Sequence, residues 1–359
     1  MNELVPNGRN RTRSVLHVLP HRGGGGETYV DHLARIEGYR FDKTFVSPGP
    51  RPSPAALTGA LRAQSEAVRH DVLHVHGEVA SGLCLPSLAL RPSVVTINGL
   101  HLVRRLGGWR RTVAEGNLRL IVRAASATIC VSEAELDHVR SVLGDHDKLV
   151  LIPNGVDSTP IDESERDSAR AELGLSPADV AGVVLAGLDS HKEPLVAARA
   201  ALDAAQDATS LVLMFAGDGP LRSELLDLAD SSPPIRVLGH QSDAHRVLAA
   251  ADFFVLPSRR EGLSFALLEA MSRGLPPVVS DDPANTEAVG DAGVVVPAGD
   301  VAGFAAAMRR LASDAAARQE LGTRARDRIA TRFSADEMAR RTGDVYESVL
   351  AGHRRPARH

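Results

Sequence analysis

Phenylalanine, tryptophan and tyrosine together make up only 3% of this 359-residue chain. That leaves little material for the aromatic platforms on which proteins stack bases. A formal charge of -4 gives a polyanion no general attraction either, so nucleic acid is not an expected partner. Cysteine is as scarce: Cys84 in "SGLCLPS" and Cys130 in "ATICVSE" stand far apart in apolar surroundings. They exclude a disulfide framework and a paired-cysteine metal site, and read as core residues. Nowhere do about 18 uncharged apolar residues run together, and "MNELVPNGRNRTR" holds no signal-peptide core. A cytoplasmic protein, peripheral at most at the inner face of a membrane, is the expectation.

What the chain does have is a succession of short, continuously apolar runs alternating with helical patterns. These are "SVLHVLP", "DVLHVH", "SVVTIN", "ATICVS" and "LVLIPN", then "GVVLAG", "LVLMFAG", "IRVLG", "FFVLPS", "PPVVSD" and "AGVVVP". Runs without polar alternation suit strands covered on both faces, hence parallel sheets in an α/β doubly wound architecture. The acidic, turn-rich stretch from "IPNGVDSTPIDESERD" onward reads as the connection between two Rossmann-like domains. The spacing predicts domains over 1–165 and 166–335, with 336–359 a helix crossing back to the first domain and a basic tail. Ligands of such sheets bind at the carboxyl ends of the strands, so a donor site in a cleft between facing domains is expected.

The stretch "SRREGLSFALLEAMSRGLP" carries Glu261 and Glu269 in a segment that otherwise wants burial. Gly262 and Ser264 predict a break and an N-cap, and Gly274 the end of a buried helix bearing Phe265, Leu267, Leu268, Ala270 and Met271. The helix N-terminus, with Leu263 just before it, suits a phosphate. One turn deeper, Glu269 could accept hydrogen bonds from the vicinal hydroxyls of a ribose, while Glu261 lies on the loop at the far side of the phosphate. A nucleotide sugar presents its groups in that order. The plainer alternative is a solvated Glu261 and a Glu269 paired with Arg259, Arg260 or Arg273.

The ordered set "LIPNGVD", "FAGDGPLRSEL", "AADFFVLPSRREGLSFALLEAMSRGLPPVVSD" and "RFSADEMARRTGDVYESVL" resembles the retaining glycosyltransferases of family 4, with their E-x7-E signature and GT-B fold. The resemblance implies that Glu261 contacts the donor sugar and Glu269 the ribose, with Leu267 and Leu268 near the nucleotide. It also implies that Gly217 and Gly219 let the backbone approach the donor, and that the loop from Leu238 to His240 reads the base. Lys192 in "VLAGLDSHKEP" matches the lysine that neutralises the diphosphate. Where relatives read roughly G-R-L-x-x-x-K-G, Gly187 is followed here by Leu188, so one phosphate cation is missing; His191, Arg259 and Arg260 are the nearby substitutes.

In the first half, "PHRGGGGETYVDHL" puts four glycines before a helix, where the family resemblance assigns Gly25 and Gly26 to the donor phosphate and acceptor side; a tight turn is the plain alternative. No Lys-Ser/Thr follows, so this is not a nucleoside-triphosphate P-loop. His74 and His76 in "DVLHVH" project to one face of a strand. With no further histidine or carboxylate nearby in sequence, no metal is expected; the resemblance gives His76 the donor sugar, and His74 reads as packed. "VVTINGLH" has Asn98 where the family commonly has histidine, with His101 three positions on; both belong to the acceptor side.

The resemblance thus implies a hexosyl- or N-acetylhexosaminyl-type transfer with retention, from a UDP- or GDP-linked donor to a small-molecule or glycolipid hydroxyl, with no cofactor. The sequence offers no D-x-D cluster beside a cleft motif. Two other classes compete. "GLSFA" is near a nucleophile elbow, but no strand directly precedes Ser264, and the only later histidines are His353 and His359. A non-catalytic nucleotide-sugar binder, or an inactive partner of another transferase, is the other. The arginine-rich "HLVRRLGGWRRTVAEGNLRLIVRAA" reads first as a solvated helical face, and second as a dock for an acidic acceptor or, weakly, a membrane surface.

Overall fold

The computed structural model describes residues 12–49, 54–100, 103, 106–158, 160–208, 210–230 and 234–353. Twelve strands form two six-stranded sheets. The first sheet contains β1 (Arg13–Leu19), β2 (Tyr39–Phe45), β3 (Val72–His76), β4 (Ser93–Thr96), β5 (Ala127–Cys130) and β6 (Leu149–Leu151). The second contains β7 (Val180–Leu185), β8 (Leu211–Ala216), β9 (Ile235–Gly239), β10 (Phe253–Leu256), β11 (Pro277–Ser280) and β12 (Val294–Val296). Every pairing is parallel. The eleven apolar runs each supply one strand. The twelfth, β2, escaped that reading because "YRFDKTF" is polar at Arg40, Asp42 and Lys43. It forms the edge of its sheet and is only partly covered.

The chain divides into two compact units. The first runs to Val131, resumes over Leu136–Ile152 and takes the chain from Met338 onward; the second holds Ser132–Glu135 and Pro153–Glu337. The division thus falls after Ile152, whereas the sequence reading placed it at 165. Each unit has its own apolar core, one built around Leu16, Leu73, Val95 and Ile121, the other around Leu213, Phe215, Phe253 and Phe304. The helices that shape the sites are α1 (Gly25–Leu33), α2 (Gly108–Ala124), α3 (Phe265–Ser272) and α4 (Ala335–His353).

Strand order fixes where ligands can approach. In the first sheet the order is β2-β1-β3-β4-β5-β6, so the chain reverses its direction of winding between β1 and β3. In the second it is β12-β11-β10-β7-β8-β9, the dinucleotide-type doubly wound order counted from β7, with its reversal between β7 and β10. At each reversal the loops leaving the two strands diverge to opposite faces and open a crevice at the carboxyl ends.

Candidate donor site at the second switch point and a histidine cluster at the first

The loop after β7 ends in a single 3₁₀ turn, Ser190–Lys192, and the loop after β10 carries Glu261. These are the two loops that flank the second switch point. Lys192 Nζ donates to both carboxylate oxygens of Glu261, at 2.6 and 2.9 Å. Glu261 is 5% exposed, so the pair holds a lysine charge against a carboxylate almost out of solvent. Sequence reasoning named both residues but gave them separate tasks; the structure joins them across 69 positions.

Next to the pair begins α3. Ser264 is its N-cap and accepts from Leu267 N at 3.4 Å, as the sequence predicts, and Gly274 follows its last turn. Phe265, Leu267, Leu268, Ala270 and Met271 are buried, so the helix is fixed at the end of the loop that carries Glu261. Gly262 and Leu263 are buried beside it, and Asn154 of "LIPNGVD" donates to the Leu263 carbonyl at 2.7 Å. Asn154 therefore holds the approach to the helix, a role sequence reading missed. The same loop is pinned from behind: Ser280 Oγ bonds the Ser258 carbonyl and receives Asn285 Nδ2 at 3.1 Å.

Glu269 lies half-buried on α3, and its carboxylate has no hydrogen bond or ion pair among the described residues. Burial raises its pKa, partly offset by the charge of Arg273. Arg273 is turned elsewhere: its guanidinium bonds the Glu269 backbone carbonyl at 2.9 Å and the ring of His245. Arg259 is engaged by Glu193. The ion-pair alternative for Glu269 thus has no partner at bonding distance.

Glu193 was not singled out from sequence. It follows Lys192 at the position where the family pattern ends in glycine, and its φ is 49°, in the left-handed region. A side chain there is strained. One of its oxygens, Oε2, is buried without a partner among the described residues. Counted back from Lys192, the family arginine falls on Gly187, which supplies no charge, and the family leucine on Leu188, which is fully buried in the core of the second unit.

The remaining expected donor residues sit on the neighbouring loops. Gly187 precedes Leu188. A Cβ on Gly217 would lie 1.9 Å from the Ala186 carbonyl oxygen, and one on Gly219 would lie 2.7 Å from the Leu188 backbone. Both glycines are therefore required by contact of the β8 loop with the β7 loop. The Leu238 carbonyl accepts from Gln241 Nε2 at 2.9 Å, and His240 is exposed.

At the first switch point the loop after β1 turns through Gly23 and Gly24, both with φ of 79°, while Gly25 and Gly26 are already helical at the start of α1. Left-handed backbone is what glycine is needed for, so the conformational demand falls on the first pair rather than the second. The Gly23 N–H is taken by the Glu27 carboxylate. Asn98 is half-buried with φ of 55°, and His101 lies outside the described residues.

His74 and His76 do share a face of β3, and the structure corrects the expectation that no further histidine is near. β1 pairs with β3 so that His17 stands opposite His74. The ring nitrogens of His17, His74 and His76 available to a metal lie within 4.8 Å of one another. The signal was present in "LHVL", but only the β1–β3 pairing brings it into play. All three are buried, and burial lowers the pKa of each, that of His76 to about 3. His17 Nδ1 and His76 Nε2 are 2.9 Å apart. His74 is satisfied on both sides, by Tyr346 Oη of α4 and by Thr96 Oγ1, each at 2.7 Å. The donor set is three neutral imidazoles with no carboxylate among them, and most of its nitrogens are already spent on one another and on hydroxyls. His17 Nε2 and His76 Nδ1 have no partner among the described residues.

Two wholly parallel α/β units, one with a lysine–glutamate pair and a helix N-terminus at its switch point, define a nucleotide-handling protein of the GT-B architecture. Residues 16–159 match the model of Glycosyltransferase Family 4, and residues 182–314 that of Glycosyl transferases group 1. The chain belongs to this glycosyltransferase family. It is 29% identical over 305 residues to a glycogen synthase of Mycobacterium tuberculosis, covering 80% of this chain and 71% of that one. It is 27% identical to a GDP-mannose-dependent monoacylated alpha-(1-6)-phosphatidylinositol monomannoside mannosyltransferase of Corynebacterium glutamicum, covering 94% and 98%. Among solved structures, Anabaena HepE in complex with UDP-glucose superposes with a TM-score of 0.78 at 18% identity, covering 94% of this chain and all of that one. Sucrose-phosphate synthase from Thermosynechococcus elongatus gives 0.77, also at 18%, with 95% of this chain covered.

Proposed function

We propose that the chain transfers a hexosyl or N-acetylhexosaminyl group, with retention of anomeric configuration, from a UDP- or GDP-linked donor to a hydroxyl of a small-molecule or glycolipid acceptor. The observation that carries this reading is the Lys192–Glu261 pair at the second switch point, just before the N-terminus of α3, whose second turn carries a half-buried Glu269 with no bonded partner among the described residues. Glu269 takes the ribose hydroxyls, which supply the hydrogen bonds its carboxylate lacks. Lys192 and the first N–H groups of α3 hold the diphosphate, and Glu261 faces the sugar.

Negative charge grows on the diphosphate as the sugar–phosphate bond breaks, and these donors strengthen with it, which is where binding lowers a barrier. The acceptor hydroxyl then attacks from the face the diphosphate leaves, and a phosphate oxygen takes its proton. The chain's own cations serve the leaving group, and no cofactor enters the scheme. For His76 the resemblance implies contact with the donor sugar. In the first unit the His76 ring faces His17 through Nε2, and its Nδ1 is buried without a partner among the described residues.

The test is a panel of UDP-, GDP- and dTDP-sugars followed by proton NMR, with Glu261→Ala alongside. Nucleotide release from one donor, lost in the variant, is the expected result, and an α-configured donor should yield an α-linked product. If no donor shows even line broadening from binding, the donor-site reading is wrong; a β-linked product would exclude retention.

A further inference from the structure

Helix α2 has two apolar faces where a surface helix needs one. Ala114, Leu118, Ile121 and Val122 are buried in the first unit. Away from them, Trp109 is 73% exposed, Val113 62% and Leu120 55%. At roughly 100° per residue these three fall within about 40° of one another, a single stripe along the helix.

Arginines border that stripe. Arg110 and Arg123 are exposed and lie on its opposite sides by the same helical count, and neither has an ion-pair partner among the described residues. The Arg110 guanidinium lies 5.6 Å from the centre of the Trp109 ring. The other two arginines are occupied, Arg111 by Glu115 at 2.9 Å and Arg119 by the Val142 carbonyl at 3.0 Å. The helix has four arginines and one glutamate in a chain of formal charge -4, so its positive charge is local.

We infer that α2 is a docking surface for an anionic lipid bilayer, lying in the plane of the headgroups. Trp109, Val113 and Leu120 would enter the boundary between headgroups and acyl chains, while Arg110 and Arg123 reach phosphates on either side. Tryptophan suits that depth, with an apolar body and one N–H at the wet edge. No helix among the described residues is long and apolar enough to cross a membrane, so the contact is one of lying on the surface. This goes beyond sugar transfer and holds whether or not the donor site works as proposed.

Trp109 is the only tryptophan of the chain, so its fluorescence reads this surface alone. The full chain is titrated with vesicles of equal parts phosphatidylcholine and phosphatidylglycerol at low ionic strength. The expected result is a saturable blue shift, reversed by salt and quenched when the lipids are brominated near the headgroup. Arg110→Glu with Arg123→Glu should lower the partition coefficient at least fivefold per arginine, from about 1 kcal/mol each. Val113→Ser with Leu120→Ser should lower it as well, with unchanged far-UV circular dichroism and unchanged nucleotide release in solution. The inference is overturned by no shift with the anionic vesicles, by an equal shift with pure phosphatidylcholine, or by no quenching from brominated lipid. An equal shift with heparin also overturns it and assigns the surface to a soluble polyanion. Nucleotide release on the same sample reports the donor site separately, so failure of one reading is not failure of the other.

Discussion

The two switch points solve opposite problems with ionisable side chains. At the second, Lys192, Glu261 and Glu269 keep charge in a place that is largely withdrawn from water, and the Glu269 carboxylate has no bonded partner among the described residues. At the first, His17, His74 and His76 are buried more deeply and hold no charge, because burial lowers the pKa of each, while hydrogen bonds to one another and to Tyr346 and Thr96 satisfy most of their nitrogens. A buried group that can become neutral does so; one that stays charged needs a partner in the fold or in a ligand. The contrast sets the second switch point apart as the one that retains charged side chains, in keeping with the proposed donor site.

Removing the cation should break that contrast most severely. Lys192→Ala removes the ion pair of the buried Glu261 and, on the proposed reading, takes one donor from the departing diphosphate. We expect kcat/KM to fall by about 10²- to 10³-fold, measured as nucleotide release under single-turnover conditions. On the proposed reading, Glu269→Ala removes hydrogen bonds to the ribose and leaves the leaving group untouched. Donor KM should rise roughly 10- to 100-fold with a smaller change in kcat, and an unchanged KM would sink its assignment to the ribose.

The pH dependence of stability should carry opposite signs in the two places. Each histidine of the cluster is neutral when folded but protonates near pH 6.5 when unfolded, so the unfolded state binds more protons below that pH. Stability is full above about pH 6.5 and is lost as pH falls, toward about 3 in the case of His76. The raised pKa of Glu269 works the other way, favouring the folded state as pH falls through the carboxylate range. Urea unfolding read by Trp109, which lies in the first unit, should therefore weaken on acidification. Tyr346→Phe strips one partner from His74 and should cost about 1–3 kcal/mol in the same assay.

The smallest effect is expected at Glu193. Glu193→Gly relieves a left-handed side chain but loses the contact with Arg259 and loosens the unfolded chain, for a net gain under about 1 kcal/mol in thermal or urea midpoint.

What could be read from the sequence follows from the range of the interactions involved. The strands, Ser264 as a cap, Gly274 as a stop and the buried face of α3 depend on neighbours a few residues away, and all are legible. The Lys192–Glu261 pair spans 69 positions and depends on β7 lying next to β10, which no local pattern encodes. His17 joined His74 and His76 only through the β1–β3 register. The glycine loop was located correctly, yet which of its residues carry positive φ depends on where α1 starts. Asn154 was visible within a motif, while its bond to Leu263 crosses 109 positions.

The hydrogen bond between Tyr346 and His74 ties together residues 272 positions apart. During synthesis the strands of the first unit leave the ribosome long before α4 exists, so their histidine cluster waits with one nitrogen of His74 unmet. The second unit, nearly continuous in the chain, has all its strands by residue 296 and can close first. The half of the protein made first is thus the half finished last, and truncation within α4 should leave it exposed to proteases while the later half stands.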